Sequence, residues 1–206
     1  MHISEGILSA PVLISGGVLT AAGTAIGLKK LDYDRIMTVS ILTATFFVAS
    51  LIHVPLGPGS VHLVFNGLLG VALGWASFPA ILTALLLQAI FFQYGGIVVL
   101  GVNTFNMAAP ALLCFYLLRP WLARPKSRPL AGFAGGFLSV FLASLLMALA
   151  LALSDTGFLA TAKIIVAAHL PVMIIEGFIT MFTVSFLAKV QPDILQLEMT
   201  NVGTET

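Results

Sequence analysis

Between residues 6 and 28 the chain carries no charged side chain, and largely apolar runs recur over 35–53, 61–75, 78–93, 104–119, 130–153 and 161–188. A bilayer core of about 30 Å offers the backbone no water, so each run must satisfy its N–H and C=O groups internally. Helices meet that demand, and the expected fold is an all-α polytopic membrane protein of about seven transmembrane helices. The third and fourth runs are separated only by "GWASFP". Periodicity cannot divide them, because the runs are apolar on most faces. Composition agrees: 59% of the residues are hydrophobic and 8% charged, against about a quarter charged in a soluble domain.

The basic residues orient this array. Lys29, Lys30 and Arg35 fall between the first and second runs, Arg119, Arg124, Lys126 and Arg128 between the fifth and sixth, and Lys189 after the seventh. Seven spans put all of them on one side, which the positive-inside rule makes cytoplasmic. Lys163 is the exception. The N-terminus is then outside and the C-terminus cytoplasmic, with His2, His53 and His62 in the outer half. "LARPKSRP" is too short to act as a linker between domains, so 1–190 reads as one transmembrane domain and 191–206 as a short cytoplasmic tail. "MHISEG" lacks the basic leader of a cleaved signal, and Met1 is taken as the mature N-terminus.

A net charge of +1 gives no broad basic surface for nucleic acid, and the single cysteine, Cys114, permits no disulfide framework. Inside an apolar run it reads as a small buried hydrophobe.

With Trp75 at the cytoplasmic interface, a helix beginning near His62 rises only about 21 Å, short of the 30 Å core. His62 is therefore expected below the outer surface, and Asn103, just before a short fifth helix, at similar depth. The Gly- and Pro-containing stretches "HVPLGPGSVH" and "YGGIVVLGVN" read as irregular segments dipping into the bundle around an outward-facing pocket.

The first two residues then acquire a chemical meaning. A free α-amine, the amide nitrogen of residue 2 and the His2 imidazole can close two fused chelate rings on one ion, leaving a vacancy that His62 can fill. Four nitrogens in a plane suit Ni(II) or Cu(II), and imidazole-rich sites also accept cobalt. Magnesium and calcium prefer oxygen. By itself a second-position histidine is a common accident; a recessed histidine on the same side gives it weight. The terminus is expected to pack little.

Other polar residues stand out against the apolar background. His53, beside Pro55, either draws metal in and orients His62 or serves a structural role. Gln88 and Gln93 are candidate partners around the site. Glu176 in mid-span is costly and stands two turns from His169 across Pro171, which suggests a packing or coupling network. Gly23 and Gly27 give the first helix a small-xxx-small spacing that suits close helix approach.

Four motifs in order, "MHISEG", "GPGSVHLVFNGLLG", "GGIVVLGVNTFNMAAP" and "AAHLPVMIIEGFIT", resemble the CbiM/NikM family, the membrane substrate-specificity components of energy-coupling-factor (ECF-type ABC) transporters for cobalt and nickel. The resemblance runs from Met1 to about Val190. It implies that Met1 and His2 chelate the metal through amine, amide and imidazole, that His62 completes the set, and that Asn103 belongs to the surrounding hydrogen bonds. It further implies a multi-pass subunit of a bacterial or archaeal cell membrane, the inner one in a Gram-negative cell. The subunit would capture Co²⁺ or Ni²⁺ outside, feed cobalamin biosynthesis, and work with a transmembrane coupling subunit and two ATPase subunits. Some relatives continue into a fused accessory segment, whereas this chain ends in "DILQLEMTNVGTET", so an accessory membrane subunit would be separate.

The chain carries no Walker-type glycine loop, so ATP hydrolysis is expected in partners and the chain is not expected to be an enzyme or to carry a cofactor. A self-sufficient metal channel or secondary transporter would show several ionisable residues along one path, and mid-span charge here is nearly limited to Glu176. An intramembrane hydrolase built on His169 and Glu176 finds no HExxH pair and no nucleophile elbow. The planar nitrogen set points to nickel, while the form of "SVHLVFNG" is more like members assigned to cobalt.

Overall fold

A computed structural model describes residues 2–51, 53–56 and 59–196, and of 53–56 and 59–61 the backbone alone. Met1 and the 197–206 stretch lie outside the described residues. Among these, eight α-helices follow one another: α1 (Ala10–Lys29), α2 (Ile36–Ala49), α3 (Asn66–Leu73), α4 (Ser77–Phe92), α5 (Leu100–Leu122), α6 (Arg128–Ser154), α7 (Leu159–Ala168) and α8 (Leu170–Val190). An antiparallel hairpin, β1 (His53–Leu56) and β2 (Gly59–His62), precedes α3 with His53 opposite His62. The architecture is that of an all-α polytopic membrane protein with one small hairpin inserted.

Several boundaries differ from the sequence expectation. The 61–75 run does not start as a helix at His62: its first residues complete the hairpin, and α3 begins only at Asn66. Where the Gly/Pro stretch was expected to be irregular, 53–56 and 59–62 pair as strands, while Gly57 and Pro58 lie outside the described residues. Leu100 opens α5, which puts Asn103 in the helix's first turn instead of in a loop before it. The 161–188 run breaks at His169, two residues before Pro171, which has no N–H for the preceding turn. The 6–28 run becomes helical only from Ala10, with Pro11 in the first turn.

Among the described residues, and counting through the turn at Gly74 and the break at His169, five helical stretches are long and apolar enough to cross a membrane: Ala10–Lys29, Asn66–Phe92, Leu100–Leu122, Arg128–Ser154 and Thr156–Val190. Within the second, Gly74 adopts φ 54° and ψ −123°, which L side chains rarely reach. There the chain turns back from α3 into α4. The 14 residues of α2 rise about 21 Å.

Apolar side chains including Ile14, Val18, Ile41, Phe91, Leu149 and Phe182 are exposed on the outside of the bundle, the distribution expected where lipid is the solvent. Inside, small residues set the helix spacing. A Cβ on Gly136 would lie 2.3 Å from the Glu176 carbonyl oxygen, so the α6 and α8 backbones touch. Gly23 and Gly27 face Phe78 and the Trp75–Pro79 turn, so the α1 small-residue face is internal. Cys114 is buried in the core, as its surroundings suggested.

One end of the bundle gathers the basic residues. Arg35 donates to the Ala72 and Ile194 carbonyls, Arg119 donates to that of Gln196, and Lys30 stands over the Trp75 ring. They line a cavity of about 570 Å³. The start of the expected free tail is docked there, with Leu195 buried.

Candidate metal centre

The opposite end holds the histidines. The N-terminal segment ahead of α1 enters the protein, contrary to the expectation of a loosely packed terminus: Ile3 is 0% and His2 4% exposed. Four interactions hold it. Asn103 clamps Ile3 as a strand would, its Oδ1 accepting the Ile3 N–H at 3.0 Å and its Nδ2 donating to the Ile3 carbonyl at 3.1 Å. The carboxylate of Glu5 accepts the Val98 N–H at 2.9 Å, and the Ser154 hydroxyl accepts that of Ser9 at 3.1 Å. The fourth is made by His2 itself.

Its Nε2 lies 2.9 Å from Gln88 Oε1. The Gln88 amide is oriented unambiguously, since its Nε2 faces the Phe47 carbonyl, which only accepts, and also reaches Ser50 Oγ. Its oxygen therefore points at His2, and His2 Nε2 must carry the proton. That tautomer makes Nδ1 the lone-pair nitrogen, and Nδ1 is the atom that closes a six-membered ring with the residue's own amide nitrogen. Gln88, a candidate from the sequence, thus orients His2, while Ser50 and Glu5 are partners of this region that the sequence did not single out. A serine that also bonds its own helix at Phe46, like a glutamate just ahead of the first helix, gives no local signal of a distant partner.

His62, 3% exposed, ends β2 with its ring centroid 4.7 Å from that of His2, the planes tilted by 35°. Its Nδ1 donates to the Leu63 carbonyl at 2.7 Å. The proton is thereby fixed on Nδ1, and the buried Nε2 has no hydrogen-bond partner among the described residues. A buried lone pair left in this state is a cost that a Lewis acid would remove. The Tyr94 ring lies 6.2 Å from that of His2, and a Cβ on Gly95 would press on Asn103 Nδ2 at 2.8 Å. The 94–98 loop therefore closes against the N-terminal segment. Both histidines are buried, and none of the cavities of about 570, 740 and 580 Å³ is lined by either of them.

The remaining candidates separate. Met1 lies outside the described residues, as does the His53 side chain, although the His53 backbone pairs with His62. Gln93 caps α4 in the left-handed region and is exposed. His169 and Glu176 have distinct partners: His169 Nδ1 donates to the Ile165 carbonyl at 2.7 Å, while Glu176 accepts the Val64 and Phe65 N–H groups. Among the described residues no group of three or more His, Cys, Asp or Glu gathers to hold a metal.

Comparison with known proteins agrees with this architecture. Residues 2–194 match the family CbiM, described as a cobalt uptake substrate-specific transmembrane region. A Haemophilus influenzae protein provisionally assigned to metal transport is 44% identical over 200 residues, 95% of this chain and 97% of that one. A fused nickel transport protein of Rhodobacter capsulatus is 38% identical over 114 residues, 52% of this chain and 33% of that protein. The crystal structure of a transition metal transporter is similar with a TM-score of 0.84 and 28% identity, covering 98% of both chains. From the segment that carries His2 to the turn that follows α8, the chain belongs to the CbiM family of cobalt uptake transmembrane regions.

Proposed function

We propose that this multi-pass membrane protein, a cobalt/nickel transport component of the CbiM/NikM type, is the substrate-specificity subunit of an ECF-type ATP-driven importer. It takes Co²⁺ or Ni²⁺ from outside the cell and passes it inward with a transmembrane coupling subunit and two ATPase subunits. In this reading the N-terminal segment faces outward. The metal is held by the Met1 amine, the His2 amide and Nδ1, and His62 Nε2.

The observation that carries the reading is the pair of imidazoles, each with its proton committed elsewhere. An ion bonded to a ring nitrogen at about 2.0–2.1 Å lies about 3.2 Å from that ring's centroid, so two rings at right angles about one ion have centroids about 4.5 Å apart. The observed 4.7 Å supports adjacent positions in one coordination plane. Asn103 and Gln88 orient the segment without being ligands. The basic end, with Arg35 and Arg119, fits the cytoplasmic face.

Protons test the donor set. An α-amine of ordinary pKa about 8 and an imidazole of about 6.5 must both be unprotonated to coordinate, and the amide must lose its proton outright. Acidification therefore competes with metal. Between pH 7.5 and 5.5 the apparent Ni²⁺ or Co²⁺ affinity of purified protein should fall by at least about 100-fold, the amine alone accounting for that factor. A pH-independent affinity over this interval would contradict the nitrogen set. Running both metals in competition at matched pH ranks them. The partner requirement is tested by uptake in cells: import with the coupling and ATPase subunits and none without them is expected, whereas import by this chain alone would favour a channel or secondary transporter.

A further inference from the structure

We propose that Glu176 is a positioning residue for the metal, acting on His62 through the peptide unit between Leu63 and Val64. This rests on the site described above. Glu176 lies nearly two turns into α8 and is 0% exposed. A carboxylate at such a depth is costly unless its oxygens are occupied. Here they are occupied by backbone. Oε1 accepts the Val64 N–H, and both oxygens accept the Phe65 N–H, at 3.0 and 3.1 Å.

The Val64 N–H and the Leu63 C=O belong to one planar peptide group. Its carbonyl accepts the His62 Nδ1 proton at 2.7 Å, and its N–H points at Glu176. A negative charge on the N–H side polarises the unit and makes its oxygen a stronger acceptor. The hydrogen bond then holds the imidazole in the tautomer whose Nε2 carries the lone pair and fixes the ring's direction. This is the arrangement in which a carboxylate orients a metal-ligating histidine, with a peptide inserted between the two.

A second feature shows that the carboxylate fixes backbone shape as well as charge. Phe65 adopts φ 54° and ψ 12°, a conformation uncommon for a bulky residue and maintained only where the surroundings impose it. Its N–H is the one shared by both Glu176 oxygens. The left-handed residue lets the chain leave β2 at His62 and enter α3 at Asn66, whose Nδ2 then reaches the Met107 carbonyl at 3.1 Å. Close contact of Gly136 with the Glu176 carbonyl anchors the carboxylate's own backbone against α6.

The same bonds also cap α3, and a capping role alone predicts lower stability with unchanged metal chemistry. The experiment separates the two with full-length protein beginning at Met1, purified in detergent, with Ni²⁺ as probe. Glu176→Gln, Glu176→Ala, His62→Ala and the two double variants are compared by Ni²⁺ titration, by the visible absorption band of the bound ion, and by melting temperature. Gln keeps an oxygen for Val64 and Phe65 and is the variant expected to fold normally. Glu176→Gln should weaken Ni²⁺ binding about 10-fold and Glu176→Ala up to about 100-fold, the range for residues that orient a ligand. The band should shift toward that of His62→Ala, in which three nitrogens remain. In the His62→Ala background neither substitution should weaken binding further, since the group they act through is gone. A lower melting temperature with wild-type affinity and band in Glu176→Gln overturns the proposal, as does an equal loss of affinity in the His62→Ala background. Wild-type affinity in His62→Ala itself overturns the site, and the positioning role with it.

Discussion

His62→Ala is expected to lose metal affinity by more than the roughly 10- to 100-fold that substitutions around a metal ligand cost, while the protein still inserts and folds. The imidazole is buried, but its ring makes one hydrogen bond, to the adjoining Leu63 carbonyl, and its Nε2 makes none. Removing it leaves a neighbouring carbonyl acceptor unpaired, a cost of order 1 kcal/mol or somewhat more. The hairpin survives because its ladder is backbone, and Val64 and Phe65 keep their bonds to Glu176. Metal titration beside a thermal melt reads the two effects separately. A protein that melts nearly as wild type and binds metal as tightly would remove His62 from the ligand set.

Blocking the amine of Met1 should cost as much or more. If His2 follows Met1 because the terminal amine is itself a donor, converting that amine to an amide takes one nitrogen from the plane and opens the five-membered ring. Burial of the segment decides how the test is designed. Ile3 and His2 are inside the protein and tied to Asn103 and Gln88, so a one-residue extension ahead of Met1 disturbs packing as well as coordination and should lower the melting temperature too. A retained formyl group on Met1 is the smaller probe, adding only a few atoms while removing the amine's basicity. His2→Ala complements both, keeping the amine and removing the imidazole. All three forms should lose high-affinity binding and, in cells with the complete importer, uptake. Wild-type metal content in the formylated protein, with His2 and His62 intact, would eliminate the amine as a donor and leave an imidazole-only site.

Much of this was open to inspection in the chain itself. Apolar runs long enough to span a bilayer leave helices as the economical structure, because no water is present to take an unpaired backbone group. That demand acts on each run separately, so it is legible locally. His2 announced itself through chain chemistry alone, since a chelate built on an amine and the next amide needs only adjacency. His62 was legible as a recessed histidine, although by the wrong route: a short helix was expected where a hairpin stands.

What only the tertiary structure decided is which nitrogen of each ring carries the proton and what holds it there. The tautomer of His2 depends on Gln88, 86 residues away, and the orientation of Gln88 on Phe47 and Ser50 of a third segment. The tautomer of His62 depends on a carbonyl whose own peptide is gripped by Glu176, 112 residues from Val64. Directional bonds of this kind form between groups brought together by helix packing, and that packing follows from glycines such as Gly136 that let backbones touch. Hydropathy records how much of a segment prefers lipid and says nothing of the direction a side chain takes across the bundle. For that reason the membrane fold and the candidate histidines could be read along the chain, while the tautomers of the buried rings and the carboxylate behind His62 emerge only once the helices are packed.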